Sequence, residues 1–173
     1  MSLRRAREFS LLSALFLTNL ACSHTPDRRL EELFRTNRKD FEKLVGLITA
    51  DGRIRLIDRD YIGLKSGPAI ALFREPAAYR QAFTEMQWKE YQALFKKLEL
   101  RAGVKVTPTG QIYLGVDAVS LWNGDSEKGL LYSPGQPMKE YERTTDGHRL
   151  SDPKVRSIYR KVAPNWYIYL FFD

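Results

Sequence analysis

The stretch that most constrains this chain is Trp166-Tyr-Ile-Tyr-Leu-Phe-Phe172, which lies next to its end. Seven consecutive apolar or aromatic residues without polar alternation do not suit a strand that is wetted on one face. Such a run, exposed, would be a template for aggregation. It predicts a strand that is central in its sheet or covered on both faces. Pro164-Asn165 precedes it, and Ser157 to Val162 lies before that turn. The pair reads as a closing β-hairpin.

Two helices are expected to supply the cover. Leu30, Leu33, Phe34, Phe41, Leu44, Val45 and Ile48 fall on one face at helical spacing. This predicts a helix over about 26–50, with Thr25 as cap, Pro26 at the first position and a stop at Asp51-Gly52. Thr84-Glu-Met-Gln87 fits a capping box. Trp88, Tyr91, Leu94, Phe95 and Leu98 follow it on one stripe, and Gly103 is the expected terminator. A stripe of this kind is ordinarily a core face. Pro76 is expected to open a short helix through Phe83.

The rest reads as strands. Ile54, Leu56, Tyr61 and Ile62 suggest short ones, while Ala69 to Phe73 fits a buried strand or part of a helix. Val104 to Val106 and Gln111 to Trp122 flank the turn signal Pro108-Thr-Gly110. A polar connecting loop, Asn123 to Gly129, is expected to lead into Leu130 to Tyr132. A longer loop with Pro134, Pro137 and Asp146-Gly147 follows. The expected fold class is α+β: an antiparallel β-sheet packed against two amphipathic helices.

The first residues belong to a different system. Arg4, Arg5 and Arg7 precede an apolar run of 13 residues, Phe9 to Ala21, and the small residues Ala21, Cys22 and Ser23 end it. That order is the order of an export signal. The run is shorter than the roughly 20 apolar residues a spanning helix needs. Leu20-Ala21-Cys22 resembles the lipobox of bacterial lipoproteins, although Asn19 stands where that pattern prefers Leu. The resemblance implies cleavage before Cys22 and a lipid on its thiol. Ala21-Cys22-Ser23 also satisfies the small-x-small rule for an ordinary cut after Ser23, and that route stays open. Cys22 is the only cysteine, so an exported product could form no internal disulfide.

The expected organisation is therefore a signal peptide over 1–21, a lipidated cysteine and short tether over 22–25, and one α+β domain over 26–173. Removing residues 1–21 takes away three arginines and Glu8, leaving +5 of the formal +7. Basic and acidic residues alternate, as in Lys96-Lys97 beside Glu99 and Arg101. Nucleic-acid binding calls for a basic patch with accessible aromatics, so none is expected. Anionic headgroups or an acidic envelope polymer suit the charge better.

Searches for reaction chemistry return little. The chain has no G-x-S-x-G, no phosphate-binding glycine loop and no H-E-x-x-H. Its two histidines, His24 and His148, exclude a multi-histidine metal site. No catalytic residue, metal ligand set or cofactor is expected. The polar cluster Asn123, Asp125, Ser126, Glu127 and Lys128 is the candidate binding loop, with Asp117 on the strand before it. An enzymatic reading would need a pocket that gathers Asp117, Glu127 or His148.

The chain as a whole resembles small lipoproteins of Gram-negative bacteria that carry no assigned activity. Cys22 and its signal, Trp88-x-x-Tyr91-x-x-Leu94-Phe95-Lys96-Lys97-Leu98, Ser126-Glu-Lys-Gly129 and Trp166-Tyr167-x-Tyr169 carry this resemblance. It implies an envelope location, and Ser23 after the cysteine implies the outer membrane, facing the periplasm. The expected role is a lipid-anchored protein that binds an envelope protein or polymer. The alternatives are an inhibitor or immunity-type lipoprotein and a hydrolase acting on envelope material.

Overall fold

The computed structural model describes residues 24–58, 62–66, 69–73, 83–121, 124–135, 138, 145–146 and 156–172. The expected short helix after Pro76 lies outside these, as do Cys22, Tyr61, Asn123 and His148.

Helix α1 spans Asp27–Asp51. Every one of its seven apolar-face residues is buried, together with Asp27. Gly52 closes it in the left-handed conformation at φ 63°, the role glycine takes most readily. Its start differs from expectation. Thr25 does not cap the helix; its amide and hydroxyl instead donate to the carboxylate of Asp117, at 2.7 and 3.2 Å. The first free amide of the helix, that of Asp27, donates to the Asp146 carboxylate at 2.9 Å, so the cap comes from 119 residues away.

Helix α2 spans Glu85–Lys97 and begins with the expected capping box. The Gln87 amide donates to Thr84 Oγ1, and Gln87 Oε1 accepts from the Thr84 amide at 2.9 Å. It ends before Gly103: Glu99, at φ 56°, takes the left-handed position, and Gly103 opens a strand.

The strands are β1 (Ile54–Ile57), β2 (Ile62–Ser66), β3 (Ala69–Phe73), β4 (Gly103–Val106), β5 (Ile112–Leu121), β6 (Gly124–Tyr132), β7 (Ser157–Ala163) and β8 (Trp166–Phe172). They form one sheet in the order β3-β2-β1-β4-β5-β6-β8-β7, with every neighbouring pair antiparallel. The fold is α+β, as expected. β8 is an interior strand between β6 and β7, and Trp166 to Leu170 are all buried. Its turn is Pro164-Asn165, with Asn165 at φ 64°.

Alternation along the strands separates two apolar clusters onto opposite faces. Leu130, Trp166 and Ile168 join the helix residues in the larger one. The Trp166 ring lies 5.0 Å from Phe34 and 6.0 Å from Phe41, centre to centre, which seats α1 on β8. Leu131, Tyr167 and Tyr169 form the smaller one, with Tyr113, Met138, Tyr159 and Phe171 packed against it.

One correction bears directly on the candidate site. Residues 124–129, expected as a loop, are the first two-thirds of β6; they pair along β5, and from Ser126 onward the strand pairs with β8 as well. Asp, Glu, Lys and Gly are poor strand formers by themselves, but register and partners outweigh that preference.

Candidate functional site

Because Asp125 to Lys128 lie on a strand, their side chains part. Asn123 lies outside the described residues and Asp125 is exposed. Ser126 and Lys128 face the helices, while Glu127 faces the other way.

On the helix side the polar residues build an anchor. Lys128 is 0 % exposed and lies 2.8 Å from Asp27 Oδ1 and 2.6 Å from Asp146 Oδ1. Asp27 Oδ2 accepts from Arg160 Nε at 2.9 Å and from the Thr145 amide at 2.8 Å, and the Thr145 hydroxyl bonds Oδ1. Arg160 also reaches Glu31. Burial alone would raise the Asp27 pKa. The Lys128 ammonium and the Thr145 hydroxyl and amide overcome this and hold the carboxyl far below its usual range.

Beside this network the chain ahead of α1 is pinned to the sheet. A β-bulge between Gly115 and Asp117 turns Asp117 toward the helices, where it holds Thr25. His24 Nε2 sits 2.7 Å from Ser126 Oγ, and His24 Nδ1 is 3.6 Å from Asp117. Burial lowers the His24 pKa, against the pull of Asp117, and keeps the ring neutral at neutral pH. Asp117 and Glu127 therefore serve opposite faces: Asp117 holds the chain ahead of α1, Glu127 lines the cavity on the other side, and His148 lies outside the described residues.

The opposite face is a trough. Arg55 and Leu56 of β1, Lys105 and Val106 of β4, Tyr113, Glu127, Tyr169 and Phe171, and Ser157 and Tyr159 of β7 line a cavity of about 450 Å³. In a flat sheet β1 and β7 would lie about 24 Å apart, five strand spacings. Both border this one cavity, so the sheet curls over it. The sequence supplies the means. Gly103, Gly115 and Gly129 stand in one row across β4, β5 and β6, and bulges interrupt β1, β5 and β7. Glycines and bulges are the devices that bend a sheet.

The glycine row makes room for a polar relay. A Cβ on Gly115 would stand 2.9 Å from Glu127 Oε1. The Glu127 carboxylate fills that space, accepting from Lys105 Nζ at 2.6 Å and from the Tyr169 hydroxyl. Next along the row, Tyr113 and Tyr159 meet hydroxyl to hydroxyl at 3.2 Å, and Tyr159 donates to Ser157 Oγ at 3.0 Å. Burial pushes the Tyr169 and Tyr113 pKa values up, helped at Tyr169 by the Glu127 charge. Both stay neutral hydroxyls at physiological pH, so the trough offers ring faces and neutral hydroxyls rather than phenolates.

Reading the sequence alone missed Arg55, Lys105 and the tyrosines. One signal was available. Ile54 and Ile57 are both buried three residues apart, a spacing that strict alternation forbids and a bulge allows. Among the described residues no group of three or more metal-ligating side chains comes together. No helix among them is long and apolar enough to cross a membrane.

No protein-family model matches the chain, and no curated protein or solved structure does. The fold and the site together define an α+β protein with one face of its sheet closed by helices and the other open as a tyrosine-lined trough.

Proposed function

We propose that this chain is a lipid-anchored protein of the bacterial cell envelope that binds an envelope ligand in the trough. The trough carries the reading. It is of ordinary ligand-pocket size, mostly apolar with a few placed polar groups, and built on strands rather than loops. The pinned His24 and Thr25 support the anchored half. With Cys22 lipidated, only Ser23 lies between it and His24, two Cα steps that reach about 7 Å. The domain then rides against its bilayer and meets ligands that come to the membrane surface.

Intact-mass spectrometry of the membrane fraction tests the anchor. A diacylglyceryl mass on Cys22 is expected, and Cys22→Ala should release the protein. A soluble product beginning at His24 would refute the lipid attachment.

Blocking the trough tests the ligand half. Ser157→Trp places a large ring at its wall on an edge strand, where tryptophan is well accepted. Material recovered with the wild type from envelope extract should be lost with this variant while its melting temperature holds. Equal recovery with both would remove the trough from the function.

A further inference from the structure

We infer that the trough takes a monoanionic ligand, a carboxylate carried on a body with an apolar face, and that Arg55 receives the carboxylate. This rests on the trough being the binding site, and it names the chemistry of what binds there.

Three observations carry it. The first is the bulge in β1. Ile54 and Ile57 both point into the helix-side core, so the irregularity between Ile54 and Leu56 leaves Arg55 and Leu56 together on the trough side. Bulges next to sites re-aim a side chain in this way.

The second is charge. Arg55, Lys105 and Glu127 are the ionisable acid and base side chains that line the cavity. Lys105 and Glu127 neutralise each other at 2.6 Å. No carboxylate among the described residues neutralises Arg55, so the cavity holds one unmatched positive charge. A monoanion balances it. A phosphate dianion would set a second negative charge against Glu127 and the rings. The planar guanidinium also fits a carboxylate through two parallel hydrogen bonds.

The third is the lining. Apart from Arg55 and the paired Lys105 and Glu127, the surface consists of Leu56, Val106 and Pro108, the aromatic rings, and the hydroxyls of Thr107 and Ser157. It accepts an apolar chain or the flat face of a sugar, and its other cation, Lys105, is already paired with Glu127.

The two sources of this chemistry are an acyl chain ending in a carboxylate and an acidic sugar. Octanoate and digalacturonate are therefore titrated against 1-octanol and neutral digalactose, at low salt, into the full chain in detergent. Trough amide shifts in NMR are the readout. One of the two acids is expected to bind about tenfold or more tighter than its neutral partner. Arg55→Gln should abolish that preference and leave the neutral compound's affinity unchanged. Arg101→Gln, an exposed arginine outside the trough, should change neither.

Which acid wins identifies the body of the ligand. Equal binding of acid and neutral compound, or an Arg55→Gln variant that keeps the preference, overturns the inference while leaving the trough as the site. Failure of both acids to bind also overturns it. Acid binding that survives Ser157→Trp would instead sink the reading on which it rests.

Discussion

Gly129→Ala is expected to destabilise the protein by about 3 kcal/mol, the upper end of what an added methyl costs in a packed interior. A Cβ at this position would stand 2.1 Å from the Leu114 carbonyl oxygen and 3.0 Å from Leu114 C and Val116 N. All three atoms are backbone. No side chain can swing aside, so β5 itself must move, beside its bulge. Gly46→Ala is the internal control. Gly46 lies in α1, exposed, and a Cβ there meets nothing within 4 Å. The same chemical change should there stabilise by about 1 kcal/mol through helix propensity. For a domain of this size each kcal/mol moves the melting temperature by about 2–4 °C. Thermal melts of the two variants should therefore move in opposite directions. A Gly129→Ala melt at the wild-type temperature would show that the curl of the sheet does not depend on this glycine. The variant also probes function, since Gly129 pairs with Gly115 on one side and Tyr169 on the other. A shift there displaces the Tyr169–Glu127–Lys105 relay that floors the trough.

Much of this fold is legible in the sequence because its signals are local. The seven apolar positions of α1 share a face at a period of 3.6, and all seven are buried. Thr84 and Gln87 are three residues apart, which suffices for the capping box. Pro164-Asn165 turns the last hairpin, and the uninterrupted apolar run of β8 could lie nowhere but inside the sheet. The failures come where partners are distant. Asp125 to Lys128 look like a solvated loop because nothing within reach along the chain explains a buried lysine or a strand glutamate. Their partners are Asp27, about a hundred residues away, and Lys105 and Tyr169 on other strands. The cap of α1 is misread for the same reason: Thr25 has the right identity for a cap, but Asp117 and Asp146 compete for both groups. The trough depends on the curl of the whole sheet, which no window of sequence displays. Its traces are single glycines inside strand patterns and the Ile54–Ile57 spacing, each a mark of a bulge or a close approach.

Asp27→Ala is expected to cost about 3–5 kcal/mol, the range for breaking a buried ion pair by removing one partner. The count of orphaned groups sets the size. Lys128, with no exposed surface, would keep only Asp146, which is itself 43 % exposed. Arg160 would keep only Glu31, and the Thr145 hydroxyl and amide would lose their acceptor. The dependence on pH separates this ionic cost from loss of packing. The folded state holds the Asp27 carboxyl far below the unfolded value of about 3.9. A group depressed in this way contributes stability that is complete above the unfolded pKa. That contribution is lost as pH falls through the folded pKa, because only the unfolded chain takes up the proton in between. The stability gap between wild type and Asp27→Ala should thus be full at pH 7 and shrink steadily below about pH 4. Urea midpoints at pH 7, 4 and 2.5 check it, and a gap that stays constant across that range would assign the loss to packing alone. The variant carries a second consequence, for the chain ahead of α1. Asp27 is the hinge between the buried network and the pinned His24 and Thr25. Losing it should speed hydrogen exchange at the Thr25 amide, which donates to Asp117. Under the proposed anchoring at Cys22, a tether freed at that point would reach further from the membrane, so the same substitution that weakens the fold should also loosen the hold between the domain and its lipid.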